Sequence, residues 1–159
     1  MKHKTLGERI RRLEAIEAIG QVVGQYARGA DRRNDPEIMG PLFLDDAVWE
    51  AEGFGRCEGR DAIVAHLARI GAEQIVWSLH YMVTPLVTLE EDLTQARCRW
   101  YLWELAQFAG ESGQPASHWI GGWYDSVLSW SGEAWRFRHV ILDLRLVHRH
   151  GENWSPLSR

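Results

Sequence analysis

The spacing of apolar side chains changes from three and four residues in the first part of the chain to two residues in the second part. A first helix is predicted to begin at Thr5, because Thr5 and Glu8 have the spacing of a capping box, and Gly29 offers a place for it to end. Its apolar positions have helical spacing. They are Ile10, Leu13, Ile16, Ile19, Val23, Tyr26 and Ala30. This face is therefore expected to pack against a core.

Two shorter helices and one strand are predicted next. Asp35 followed by Pro36 is typical of a helix N-terminus, and Gly40 with Pro41 keeps that helix short or kinked. Residues 47–51 read as a strand that turns through the glycines at 53, 55 and 59, and residues 61–71 have helical periodicity again.

From residue 75 onward the apolar positions alternate, which predicts four long strands at 75–89, 94–108, 117–130 and 134–147. Helices followed by long antiparallel strands predict the α+β class, with helices packed on one side of a curved sheet. A strongly coiled sheet closed by a helix at its mouth should leave a conical cavity. We expect one domain over residues 1–150, with 151–159 as a loose tail or a lid carrying Trp154 across the cavity.

Composition narrows the possible partners. A net charge of −4 in 159 residues argues against nucleic acid, since its binders concentrate basic charge on one face. No apolar run approaches membrane length and no leader pattern opens the chain, so a soluble, cytoplasmic protein without a membrane partner is expected. Nine tryptophans in so short a chain predict an aromatic pocket or a subunit interface, and we expect a dimer or a trimer.

Cofactor and metal signals are weak. Cys57 and Cys98 have neither CxxC spacing nor a second pair, and His148 with His150 lacks identifiable further ligands. Gly53 and Gly55 carry no dinucleotide fingerprint. The prediction is a protein that uses no metal and no cofactor.

An aspartate and a histidine are the candidate chemical groups. Asp31 follows the C-terminus of the first helix, where the helix dipole disfavours a negative charge, so its carboxylate needs a donor. A surface ion pair with Arg32 or Arg33 would supply one, and so would a histidine. His80 stands in an otherwise apolar strand. A carboxylate bound to one of its ring nitrogens would fix the tautomer and leave the other nitrogen as a base.

Several short motifs in order along most of the chain carry a resemblance. They are Ala30 and Asp31; Asp45, Asp46, Ala47 and Trp49; Glu52, Gly53, Gly55 and Gly59; His80 and Tyr81; and Ile120, Gly121, Gly122 and Tyr124. In these motifs the chain resembles the SnoaL-like group of the nuclear transport factor 2-like superfamily, in particular the scytalone dehydratases and hexachlorocyclohexane dehydrochlorinases. The resemblance implies a cone-shaped, cystatin-like α+β barrel, its sheet antiparallel or mixed around N-terminal helices.

The resemblance also implies a catalytic dyad of Asp31 and His80. The chain departs from those enzymes in two places: Tyr26 stands where the dehydrochlorinases have a lysine, and Ala30 where the scytalone dehydratases have a tyrosine. For the second catalytic histidine of the latter, Glu104 and His118 are the nearest counterparts.

A small set of further side chains completes the predicted site. Tyr26 is a candidate donor to a carbonyl, a developing oxyanion or a leaving hydroxyl, although its ring belongs to the core stripe of the helix. The predicted pocket lining comprises Trp49, Trp103, His118 and Trp123. For each tryptophan, a place in the core or in a subunit interface is the alternative.

The leading hypothesis is a cofactor-independent lyase or isomerase, similar to a dehydratase or dehydrohalogenase. It would take a proton from a small apolar, cyclic or aromatic molecule. Two alternatives stay open: a non-catalytic ligand-binding or subunit-assembly domain of the same fold, and a polyketide cyclase-like enzyme in which an aspartate is the direct base and the histidine a donor.

Overall fold

A computed structural model describes residues 5–110 and 113–151, so Trp154 and the predicted tail beyond residue 151 lie outside the described residues. The elements run in this order: α1 (Leu6–Asp31), α2 (Pro36–Met39), a 3-10 turn (Gly40–Leu42), β1 (Phe43–Ala51), β2 (Gly55–Glu58), α3 (Arg60–Glu73), β3 (Ile75–Leu89), β4 (Gln95–Phe108), β5 (Ala116–Trp130) and β6 (Trp135–Arg149). The helices and strands confirm the α+β class.

The strands form one six-stranded sheet in the order β2-β1-β6-β5-β4-β3. The β1–β6 pair is parallel and the other pairs are antiparallel, so the sheet is mixed. Within the described ranges β2 and β3 are its two edges and do not pair with each other, so the sheet is not closed. Residues 55–58, predicted as part of a turn, form the edge strand β2.

Helix α1 begins with the predicted capping box, because Thr5 and Glu8 each accept a hydrogen bond from the other's backbone N–H. Its second half is buried as predicted, through residues that include Ile19 and Val23. The prediction for the first half is wrong. Ile10, Leu13 and Ile16 are exposed. The buried stripe passes through Ala15 instead, which shifts those three side chains onto the adjoining face. No helix in the described part of the chain is long and apolar enough to cross a membrane.

An aromatic cluster fastens the end of α1 to the sheet. The ring of Tyr26 meets Phe43, Trp100, Tyr124 and Phe137 edge-on, with centroids 5.5 to 6.3 Å apart. Trp100 and Tyr124 stack at 4.9 Å. Such contacts add specificity of geometry to the burial of large apolar surfaces. The last two turns of α1 therefore have a fixed position over the sheet.

The turn after α1 is held against α3. Arg33 and Asn34 both have positive φ, and each side chain donates to a backbone carbonyl of α3: Arg33 Nε to Gly71 at 2.9 Å and Asn34 Nδ2 to Leu67 at 2.9 Å. The two backbones are so close that a Cβ on Gly71 would stand 1.8 Å from the Arg33 carbonyl oxygen. This clamp positions Asp31, the last residue of α1.

Candidate functional site

Asp31 and His80 are in direct contact, although 49 positions separate them in the chain. Asp31 Oδ1 lies 2.9 Å from His80 Nδ1 and also accepts the His80 backbone N–H at 2.7 Å. Because a carboxylate can only accept, Nδ1 is the donor in this contact, and in the neutral ring the lone pair is then on Nε2. The donor that the Asp31 carboxylate needs at the C-terminus of α1 is thus His80. Arg33 instead donates to backbone carbonyls of α3.

A second carboxyl lies on the other side of the same ring. Glu104 Oε1 is 3.3 Å from His80 Nε2, because His80 on β3 and Glu104 on β4 are directly paired in register. The side chains of His80 and Glu104 are only 8% and 9% exposed, whereas that of Asp31 is 30% exposed. Burial raises the pKa of Glu104, and the negative charge of Asp31 adds to this shift; a positive charge on His80, when its ring is protonated, opposes it.

Tyr26 belongs to a buried polar group beside the dyad. Its hydroxyl oxygen accepts the indole N–H of Trp49 at 2.9 Å and also forms a hydrogen bond with Tyr124. Burial raises the pKa of Tyr26 to about 12, and the bonds from Trp49 and Tyr124 only partly offset this. Burial also raises the pKa of Tyr124 well above its ordinary value. Both phenols therefore keep their protons at neutral pH.

One cavity, between α1, α3 and the inner face of the sheet, is lined by the side chains of His80, Glu104 and the two tyrosines. It encloses about 70 Å³, and its wall is mostly aliphatic and aromatic. The polar side chains on the wall are those of Tyr26, Asn34, Trp49, His80, Glu104 and Tyr124. An apolar hollow with a few convergent polar groups is the usual form of a small-molecule site. The arrangement can accept a proton at His80 Nε2 and donate a hydrogen bond from the Tyr26 hydroxyl.

Of the seven predicted site residues, Tyr26, Trp49 and His80 line the cavity; Asp31 touches its wall only through His80, and the other three lie elsewhere. Trp103 is 41% exposed and lies on the outer face of the sheet, because it alternates with the inward-facing Glu104. Trp123 is outward for the same reason and packs under the guanidinium of Arg145 at 4.4 Å. His118 lies just past the cavity, where Nδ1 bonds the Ala116 carbonyl and the ring meets Phe108. The pocket lining predicted for Trp103, Trp123 and His118 therefore does not coincide with the wall of this cavity.

Two side chains on the cavity wall, those of Glu104 and Tyr124, were not predicted as pocket lining. Strict alternation in β4 puts Glu104 on the same face as Trp100 and Leu102, which are buried. A lone acid on an otherwise apolar strand face is a marker of a polar site. Tyr124 lies on β5 directly opposite Trp100, and that register depends on pairing that a sequence alone does not reveal.

The described residues contain no group of three or more histidine, cysteine or acidic side chains placed to hold a metal ion. They do contain a second histidine–carboxylate pair, His139 Nε2 with Glu50 Oε1 at 2.6 Å, which lies outside the cavity wall. This pair makes a natural internal comparison for the Asp31–His80 pair.

Solved structures with the same fold cover nearly the whole chain. Hexachlorocyclohexane dehydrochlorinase LinA-type3 from Novosphingobium barchaimii LL02 is 18% identical, with a TM-score of 0.84 over 94% of this chain and 99% of that one. A candidate scytalone dehydratase from Novosphingobium aromaticivorans is 23% identical, with a TM-score of 0.74 over 93% and 96% of the two chains. A nuclear transport factor 2-like protein with a cystatin-like fold, also from N. aromaticivorans, is 24% identical, with a TM-score of 0.70 over 87% of each chain.

At these identities the three structures establish a shared fold. No curated protein matches the chain. The family model of the SnoaL-like domain matches residues 11–141, which span α1 to the middle of β6 and include the cavity-facing side chains of Tyr26, His80 and Glu104. The chain therefore belongs to the SnoaL-like domain family of the nuclear transport factor 2-like superfamily.

Proposed function

We propose that this protein is a cofactor-independent lyase or isomerase that removes a proton from a small, largely apolar, cyclic or aromatic molecule. One observation carries the proposal. The imidazole of His80 is bound at Nδ1 by Asp31, and its other nitrogen faces an apolar cavity. This is the arrangement in which a histidine acts as a general base.

His80 is the base in this proposal and Asp31 orients it. When Nε2 takes a proton, the ring becomes an imidazolium whose charge lies beside the Asp31 carboxylate. The second bond to Asp31, from the His80 backbone N–H, holds the carboxylate in place without depending on the ring. The base is thus pre-positioned and its charged form is stabilised.

Tyr26 is the hydrogen-bond donor in the proposed mechanism. Its oxygen accepts the N–H of Trp49, which leaves its own O–H to donate to substrate in the cavity. A donor fixed in this way is suited to a carbonyl oxygen that becomes negative when the adjacent carbon loses its proton.

The structural relatives favour elimination among the possible outcomes. One is named as a dehydrochlorinase and another as a candidate dehydratase, and both names describe the removal of a small molecule from a substrate. In either reaction a proton leaves one carbon while the neighbouring carbon loses its substituent.

The proposal is tested with nitrobenzisoxazole, a small aromatic compound whose ring opens to a coloured phenolate when a base removes its single acidic C–H. Wild type should accelerate the reaction, and His80→Gln should lose about a hundredfold or more of that acceleration. His139→Gln is the matched control, because His139 has the same kind of carboxylate partner but lies outside the cavity wall. Equal rates for wild type and His80→Gln would show that His80 is not the base.

A further inference from the structure

The cavity beside the Asp31–His80 dyad is small for a ligand site. It encloses about 70 Å³, whereas pockets that hold drug-sized molecules measure roughly 300–1,000 Å³. A substituted ring needs more room than this, so it reaches His80 only when part of the wall moves outward. Entry therefore depends on the wall segment that is held least firmly.

Most of the cavity wall is fixed within regular elements. Its residues lie mainly in α1, α3 and the strands of the sheet. Of the wall residues that the structure describes, Asn34 and Phe54 lie outside helices and strands. Asn34 is buried and is held to α3 by its bond to the Leu67 carbonyl. The remaining wall segment is the turn at Phe54, which joins β1 to β2.

The turn at Phe54 has the features of a hinged segment. Gly53 and Gly55 flank Phe54 and have φ values of 81° and 97°, which glycine adopts without strain. Glu52 and Gly53 are exposed, so little packing restrains the turn from outside. The strand that follows, β2, has only four residues and lies at the edge of the sheet. Short segments with small residues at both ends are where proteins place hinges.

A side-chain hydrogen bond holds this turn against α3. His66 Nε2 lies 2.7 Å from the Phe54 carbonyl oxygen, and His66 Nδ1 lies 3.0 Å from a guanidinium nitrogen of Arg69. Because a guanidinium can only donate, Nδ1 is the acceptor and Nε2–H is the donor to Phe54. The His66 ring also packs beside Trp49, with centroids 5.7 Å apart. These contacts define a closed position of the turn.

We propose that Phe54 is the gate of this cavity and determines the size of the molecule that reaches His80. His66 is a positioning residue that holds the gate closed through the Phe54 carbonyl. When that bond opens, rotation at Gly53 and Gly55 carries the phenyl ring away from the wall. The gate acts on entry, so it does not depend on which reaction follows.

A gate of this kind predicts binding in two steps. A molecule too large for the closed cavity enters only while Phe54 is turned away. Its association rate therefore levels off, as its concentration rises, at the rate of gate opening. Direct entry past a fixed wall would instead give a rate that rises linearly.

Fluorine NMR on the protein alone tests whether Phe54 moves. Para-fluorophenylalanine replaces the four phenylalanines, and Phe54→Leu identifies the Phe54 signal. We expect this signal to exchange between two environments in microseconds to milliseconds, as gating loops do. The signal of the fully buried Phe43 is the control and should show no such exchange. A Phe54 signal without exchange overturns the proposal, and this result does not depend on the folding of any His66 variant.

A matched pair of variants tests the role of His66. His66→Leu removes the donor, whereas His66→Gln keeps an N–H at a similar reach. Loss of one hydrogen bond should raise the opening rate about fivefold to tenfold in His66→Leu, and His66→Gln should stay near wild type. His139→Leu is the control, because His139 also bonds a neighbour, Glu50, but lies off the cavity wall. Equal effects of His66→Leu and His66→Gln, or no effect of either, overturn the assignment of His66.

Stopped-flow fluorescence with N-phenylnaphthylamine, an uncharged probe with two fused rings, tests size selection. We expect the association rate of wild type to level off, with a plateau about fivefold to tenfold higher in His66→Leu. Phe54→Ala should bind the probe with no plateau. A linear rate or absence of binding in wild type, or an unchanged plateau in Phe54→Ala, overturns the gate. Equal nitrobenzisoxazole rates in wild type and His80→Gln would instead overturn the proposed function and leave the gate in place.

Discussion

Replacing Asp31 with asparagine measures what the carboxylate charge contributes to the proposed base. Asparagine has nearly the same shape, and its side-chain oxygen can still accept the N–H groups that Asp31 Oδ1 accepts from His80. The change therefore removes the charge beside the ring with little effect on the geometry. The imidazolium that forms when His80 takes a proton loses its counter-charge.

The size of the effect follows from the distance between the charges. Two unit charges 2.9 Å apart attract by about 5.7 kcal/mol at an effective dielectric constant of ~20. The Asp31 side chain is 30% exposed, so water screens part of this attraction, and we take about half of it, roughly 3 kcal/mol. Each 1.36 kcal/mol is about tenfold in rate, so Asp31→Asn should slow proton removal by about a hundredfold.

The assay is kcat/KM for nitrobenzisoxazole in wild type, Asp31→Asn and a control, Asp45→Asn. Asp45 also pairs with a cation, Arg60 at 2.7 Å, but its side chain is 84% exposed and lies off the cavity wall. Circular dichroism and thermal unfolding show whether each variant keeps its fold. A loss of less than about threefold in Asp31→Asn, or an equal loss in Asp45→Asn, would refute the electrostatic reasoning.

Three further predictions concern stability and assembly. Burial raises the pKa of Glu104, so its contribution to stability is complete below the ordinary value of 4.5 and is lost as pH rises through the raised value. The free energy of unfolding measured in urea should therefore decline less with rising pH for Glu104→Gln than for wild type. Gly71→Ala should destabilise the protein by about 1–3 kcal/mol or more, because the new Cβ collides with the Arg33 carbonyl. Gly20→Ala, in α1 with open space around it, should stabilise the protein by about 0.5–1 kcal/mol, and thermal unfolding measures both changes. If the exposed outer face around Trp103 is a subunit interface, Trp103→Glu should reduce the mass measured by light scattering, and a monomeric wild type would contradict the expected dimer or trimer.

Local patterns in the sequence were sufficient for most elements. Helix α1 begins where Thr5 and Glu8 predict, because a capping box depends on residues three apart. The four long strands lie within two residues of their predicted bounds, since alternation over some fifteen positions is a strong signal. Strand β2 was not predicted, because residues 55–58 are too few and too rich in polar side chains to have a strand pattern.

The direction of individual side chains was harder to predict. Trp49 lies on the cavity wall, whereas Trp103 and Trp123 do not, because a shift of one residue in a strand moves a side chain to the other face. Register shifts, such as the one between Val83 and Leu86, break the count along a strand. The face of the sheet that a side chain occupies therefore depends on how the strands pair.

Sequence by itself predicted the α+β class and the order of the elements apart from β2, and it singled out the two residues on which the proposed chemistry depends. Only the tertiary structure decided that Asp31 and His80 are in contact, that Glu104 lies beside the other ring nitrogen of His80, and that Trp103 is on the outer face of the sheet. The physical reason is range. Caps, turns and periodicity act over a few residues, whereas a dyad closed across 49 positions depends on the clamp between the α1 turn and α3 and on the pairing of β3 with β4.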